Sequence, residues 1–113
     1  MIALALMNVQ FAGGKMVDEK TWQEFINHAV TIQQLSMSTV KNTIKYLRYL
    51  VKNGIDLMAD EETIKQQFFT FLSERIQAGR QPHSLNHYIK SMNRWMRFRG
   101  FETKFKKDRK SVV

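Results

Sequence analysis

Apolar side chains recur at helical spacing in four successive segments of this chain, and nowhere do they alternate convincingly as a half-buried strand requires. The clearest stripe is the last, in which Leu85, Tyr88, Ile89, Met92, Trp95 and Met96 fall at i, i+3, i+4, i+7, i+10 and i+11. That spacing puts them on one side of a helix. Four such stripes have to be buried against one another, so the chain is expected to be all-α. Its 113 residues suffice for one core and are too few for two.

The first stripe, Trp22, Phe25, Ile26, Ala29 and Val30, predicts a helix from about Asp18 to Gln34, with Asp18 and Glu19 at the positive end of its dipole. "LSMST" interrupts the pattern, and Ser38 or Thr39 is the expected cap of a second helix, because a hydroxyl oxygen there accepts a free backbone N–H. This helix should bury Val40, Ile44, Leu47 and Val51 and run to about Asn53, where Gly54 supplies a left-handed stop. A third helix, about Asp60 to Gln77, starts with Asp60, Glu61 and Glu62, has Ile64, Phe68, Phe71, Leu72 and Ile76 as its core side, and ends at Gly79. The aromatic cluster "FFTF" within it reads as packing. "GRQPHS" is the next break, with Pro82 just ahead of or inside the following turn and Ser84 a candidate cap. The fourth helix then runs to Arg99 and stops at Gly100. Residues 101–113 open with Phe101 and Phe105 and read as a basic, mobile tail or linker. The expected division is an arm at 1–16, a helical domain at 17–100 and a tail at 101–113.

Charge is distributed unevenly along this plan. Residues 1–79 carry eight Lys or Arg and eight Asp or Glu, whereas residues 80–113 carry ten basic residues against Glu102 and Asp108, so the whole net charge of +8 lies in the last third. In the second helix Lys41, Lys45, Arg48 and Lys52 each follow a core position by one residue, and no acid occurs between Ser36 and Asn53. A solvated helix usually mixes Glu with Lys to gain i, i+4 pairs. In the fourth helix His87, Lys90, Arg94 and Arg97 repeat at i, i+3, i+7 and i+10 opposite the apolar stripe, with Arg80 and His83 on the approach to it. Two acid-free cationic rows and a basic tail holding Lys104, Lys106 and Lys107 point to a polyanionic partner. Duplex DNA fits them physically, because phosphates repeat along the groove edge and each neutralised phosphate releases counterions.

Other chemistries find little support. The chain has no Cys, which removes disulfides, thiolate metal sites and thiol nucleophiles and suits the cytoplasm. His83 and His87 stand at i, i+4 without a nearby carboxylate, so neither a metal nor another cofactor is expected. There is no GxxxxGK[ST], GxGxxG or GxSxG motif and no carboxylate pair suited to acid and base roles, so the chain is not expected to be an enzyme. No apolar run approaches the ~20 residues needed to cross a bilayer, and no segment pairs a basic face with an unsatisfied apolar one, so no membrane partner is expected. The opening "MIALALMNVQFAGGK" lacks a basic start and a cleavage site and is not read as a secretion signal. A short strand, an oligomer-contacting arm and translated sequence ahead of a start at Met7 or Met16 all stay open for it.

The order of these features resembles the core-binding domain of tyrosine recombinases, the phage-integrase family. Its members show a first helix, an "LS-x-x-T" entry to a Tyr-bearing second helix, a polar loop with Ser, and an Asn-bearing helix with Phe or Trp before a Gly. Leu35, Ser36, Thr39, Tyr46, Ser84, Asn86, Asn93, Trp95 and Gly100 match in that order, over about residues 18–108, and "HSLNHYIKSMNRWMRFRG" is most similar to archaeal members. The resemblance implies a SAM-like orthogonal bundle of four to five helices that clamps one side of duplex DNA with its second and fourth helices nearest the groove. Lys41, Lys45, Arg48, Lys90, Arg94 and Arg97 are then the first contact candidates, and Ser38, Thr39 and His87 the next.

The chain departs from that family in holding nothing of the catalytic domain with its Arg, Lys, His-x-x-Arg and Tyr set. Tyr46, Tyr49 and Tyr88 sit inside predicted helices with no such constellation beside them. A DNA-binding piece of a longer recombinase and a stand-alone binder that does not cut both stay open. The family's domains also touch neighbouring protomers, so self-association, or a helical protein-interaction module, is the alternative. An RNA-binding bundle is disfavoured because no exposed aromatic platform for base stacking can be picked out.

Overall fold

The computed structural model describes residues 17–80 and 85–106. The N-terminal arm, the expected cap at Ser84, His83 and Lys107 lie outside the described residues. The described chain is an all-α bundle of four helices, α1 (Glu19–Thr31), α2 (Met37–Lys52), α3 (Glu61–Gln77) and α4 (Asn86–Phe98). None of them is long and apolar enough to cross a membrane.

Side-chain and backbone caps set the helix ends. Asp18 accepts from the Thr21 amide at 2.8 Å to start α1. The helix stops at Thr31, three residues before the expected end, because Gln34 takes φ +58° and the Leu35 amide turns back onto the Ala29 carbonyl at 2.9 Å. For α2 the cap is Ser36, not Ser38 or Thr39. Ser36 has extended backbone and accepts from the Thr39 amide at 3.2 Å, while its own hydroxyl donates to Thr39 Oγ1 at 3.0 Å. Thr39 therefore sits one turn inside, as the capped residue. Gly100, at φ +79°, lets the Phe101 amide close onto the Met96 carbonyl at 2.9 Å, and this turns the chain after α4 back along the bundle.

The core gathers around Trp95, which is fully buried against Trp22, Phe25 and Phe98, with ring centroids 5.6, 5.3 and 5.1 Å away. Helix α4 packs chiefly on α2 and next on α1. Most of the apolar positions expected inside are buried or half-buried there, and Leu50, Ile55, Leu57 and Thr43 join them. Ile76 does not: it is 49% exposed, as is Phe69, two turns earlier on α3, at 51%.

Phe105 corrects the expected boundary at Gly100. It is only 5% exposed and packs edge-on against Phe68 at 4.8 Å, so the packed body continues through residue 105. Polar bonds anchor the same segment. Asn93 donates Nδ2–H to the Phe105 carbonyl at 2.8 Å and accepts the Phe105 amide at 2.6 Å, as an adjacent backbone strand would. Thr103 donates its amide to Glu61 Oε2 at 2.9 Å and its hydroxyl to the same oxygen. These bonds hold the Glu61 carboxyl below the ordinary carboxylate range.

Two outcomes are expected from this packing. Phe105→Ala should lower the unfolding free energy by about 3 kcal/mol in urea titrations, whereas Ile76→Ala should change it by no more than about 0.5 kcal/mol. Because the folded-state pKa of Glu61 is depressed, its stabilisation is present above the unfolded value and lost as pH falls through the folded one. The urea midpoint of the native chain should therefore fall more steeply than that of Glu61→Gln as pH drops below about 5.

Candidate nucleic-acid interface

Rotation of α4 about its axis decides what the bundle shows to solvent. Trp95 Nε1 donates to the Leu57 carbonyl at 2.8 Å inside the core, and Arg99 Nη1 donates to the same oxygen at 2.6 Å. With Ile89, Met92, Trp95 and Met96 thus turned inward, His87, Lys90 and Arg97 are exposed and Arg94 is half-buried.

Tyr46 links this row to α2. Its ring stacks on His87, with centroids 5.2 Å apart and planes within 8°, and meets the edge of Tyr88 at 5.2 Å. Lys45 Nζ lies 5.6 Å from the centroid of the same ring. Lys45, Tyr46 and His87 therefore form a continuous path from one helix to the other. Desolvation in the tyrosine cluster pushes the Tyr88 hydroxyl above its usual pKa.

Three open hollows follow the path. One, of about 470 Å³, is lined by Lys45, Tyr46, Arg48, Tyr49, Lys52 and Tyr88. The second, about 240 Å³, lies between α2 and α4, with Thr39, Asn42 and Thr43 facing His87, Lys90 and Arg94. The third, about 600 Å³, runs between α4 and the C-terminal segment and gathers Lys90, Arg94, Arg97 and Lys104 beside Gln33 and Glu102. Lys90 and Arg94 line both of the last two and form the ridge between them.

The expected site residues divide accordingly. Lys45, His87, Lys90, Arg94, Arg97 and Lys104 come together in one band. Lys52 adjoins its α2 end, and Arg80 is exposed and close enough to Tyr88 to bias its hydroxyl toward ionisation. Arg48 also lines the α2 hollow, and its guanidinium lies 5.5 Å from the centre of the Trp22 ring on α1. Lys41 and Lys106 are exposed and line none of the three hollows. Asn42, Thr43 and Gln33 enter the site without having been singled out from the sequence. Thr43 had a readable signal: a hydroxyl in the stripe between Val40 and Leu47 needs a buried partner. That partner is Arg94, whose Nη1 donates to Thr43 Oγ1 at 2.8 Å while the Thr43 hydroxyl donates to the Thr39 carbonyl at 2.8 Å.

Among the described residues one ion pair forms, Lys65 with Glu62 on α3, and no cation of the band meets a carboxylate within 4.0 Å. Partial burial of Arg94 lowers its pKa from the usual arginine value, a desolvation cost that no acid offsets. No three of the described His, Asp and Glu side chains gather as metal ligands. Comparison of the chain with protein-family models, with curated proteins and with solved structures yields no match.

Like charges at i, i+3 and i+4 without acids between them repel. At low ionic strength Lys90→Gln and Arg97→Gln should therefore leave the thermal midpoint unchanged or raise it, and added salt should abolish any gain. A clear loss of stability in either variant would mean that the side chain supports the fold.

Proposed function

We propose that this chain is a DNA-binding module that grips the backbone of duplex DNA through α2, α4 and the segment after α4, and that it does not itself cut the strand. The observation that carries this reading is the band Lys45, Lys90, Arg94, Arg97 and Lys104, cationic side chains brought together with His87 onto connected hollows with no carboxylate partner among the described residues. A surface of that kind lowers folding stability through self-repulsion, and a polyanion is the partner that relieves it. Contacts of this chemistry position a duplex and carry little sequence information.

The resemblance to the core-binding domain of tyrosine recombinases supplies the context: a cytoplasmic part in DNA integration or site-specific recombination, with SAM-like helix packing and with cleavage left to residues of another domain. Three features support it. In the "LS-x-x-T" stretch Ser36 caps α2 by accepting from the Thr39 amide, Trp95 anchors α4, and Asn93 holds the segment that follows.

A second reading, a helical interaction module that joins a partner protein or another protomer, is favoured by Phe69 and Ile76, large apolar side chains half-exposed on α3. Light scattering without DNA separates the two readings, since a stable dimer lost in Phe69→Ser would support the interaction role.

For duplex binding, fluorescence anisotropy over a salt series gives the test. Lys45, Lys90, Arg94, Arg97 and Lys104 each neutralising one phosphate give a slope of log K against log salt of about −4.5. Arg97→Gln should weaken binding on every sequence and bring the slope about one closer to zero. A salt-insensitive complex, or no complex, would contradict the reading.

A further inference from the structure

The hollow between α2 and α4 is lined by the half-buried Arg94 together with Thr39, Asn42 and Lys90. The groove beside it includes Glu102, whereas this hollow, like the one lined by Lys45, Tyr49 and Tyr88, is lined by no acid, and its polar side chains are all of types that can donate a hydrogen bond. Arg94 is fixed there in advance. Its Nη1 is tied to Thr43 Oγ1, which is itself tied to the Thr39 carbonyl, so the guanidinium is held by a chain of two hydrogen bonds and no counter-charge.

One N–H of Arg94 is used in that bond, and no described residue accepts from the others. Thr39 Oγ1 accepts from Ser36, which leaves the Thr39 hydroxyl proton free to donate. The Asn42 amide and the Lys90 ammonium, both on exposed side chains, stand on opposite sides of the opening. Thr39 and Asn42 also lie in the first turns of α2, toward the positive end of its dipole. The space, about 240 Å³, suits a single tetrahedral anion with a few waters.

We infer that this hollow is a seat for one phosphate group, with Arg94 as its fixed donor, Lys90 as its mobile counter-charge, and Thr39 and Asn42 closing it from α2. The inference rests on the duplex-binding reading for the source of that group, a phosphodiester of the DNA backbone, and adds that a free phosphate ion occupies the same seat. A guanidinium fork matches two phosphate oxygens at once, and partial burial strengthens each charged hydrogen bond relative to one at an open surface. One phosphate held in a shaped site fixes the register of the helix pair on the duplex, while the open cations on either side follow the backbone more loosely.

The experiment uses the full ¹⁵N-labelled chain at constant ionic strength, with chloride exchanged for inorganic phosphate, followed by addition of a short duplex. Saturable shifts of the Thr39, Asn42, Thr43 and Ser91 amides are expected, with the phosphate displaced by the duplex. Arg94→Gln should weaken phosphate binding by about tenfold or more. Lys90→Gln, at an exposed position, should weaken it several-fold, and Lys20→Gln on α1 should leave it unchanged.

Duplex binding that is steeply salt-dependent, without saturable phosphate shifts or with equal phosphate affinity in Arg94→Gln and Lys90→Gln, would overturn the seat and leave the DNA reading standing. Saturable phosphate binding at these amides without any duplex binding would support the seat with free phosphate as its ligand and remove the DNA reading. Failure of both ligands would overturn both.

Discussion

The hydrogen bond from the Trp95 indole to the Leu57 carbonyl is the contact on which the surface of this bundle depends. The donor is an indole N–H enclosed in the core, and leaving it unpaired would cost on the order of 1–3 kcal/mol. The indole ring is itself enclosed by Trp22, Phe25 and Phe98. Position and rotation of α4 are thus set together: a helix turned by one residue would lose the bond and bring a charge toward the core. Arg99 adds a second donor to the same oxygen from the helix end. The cationic row opposite Trp95 is the geometric consequence of this anchoring.

Around that anchor the molecule treats two kinds of charge differently. Acids at the starts of α1 and α3 are used in structure: Asp18 caps α1, Glu61 holds Thr103, and Glu62 pairs with Lys65. Cations of α2 and α4 are left without acids, and Arg94 is half-buried in that condition. Fold stability alone would favour a carboxylate or an apolar residue beside Arg94. Its retention with a threonine as its side-chain partner among the described residues is what the proposed phosphate seat accounts for. The docking of residues 101–105 belongs to the same picture, since it carries Lys104 to the edge of the α4 row.

Much of the fold was legible because periodicity is a local property. The stripes on α1, α2 and α4 are dictated by spacing, and their Trp, Phe and Leu residues are buried where spacing puts them. What escaped depends on contacts distant in sequence. Phe105 lies beyond the helix stop, and only the return of the chain at Gly100 brings it to Phe68. Ile76 fits the α3 stripe, but the last turn of that helix is held to α2 by its neighbour Arg75, which donates to the Tyr49 hydroxyl and to Asn53 Oδ1, and Ile76 itself stays half-exposed. Ser36 displaced Ser38 and Thr39 as cap because capping depends on where the backbone leaves the extended region, and every Ser or Thr in "SMST" offered the same side-chain chemistry.

The candidate site was legible as charge and less so as arrangement. Spacing alone predicted the rows on α2 and α4, but it could not show that Arg48 turns to Trp22 or that Tyr46 stacks on His87 to join the two helices. The most direct test of the account is a map of backbone amide shifts on titration with a mixed-sequence duplex. It should place the largest changes on Lys45, His87, Lys90, Arg94 and Lys104, leaving the outer side of α3 around Phe69 and Ile76 unmoved. Changes centred on Phe69 and Ile76, or none at saturating duplex, would contradict it.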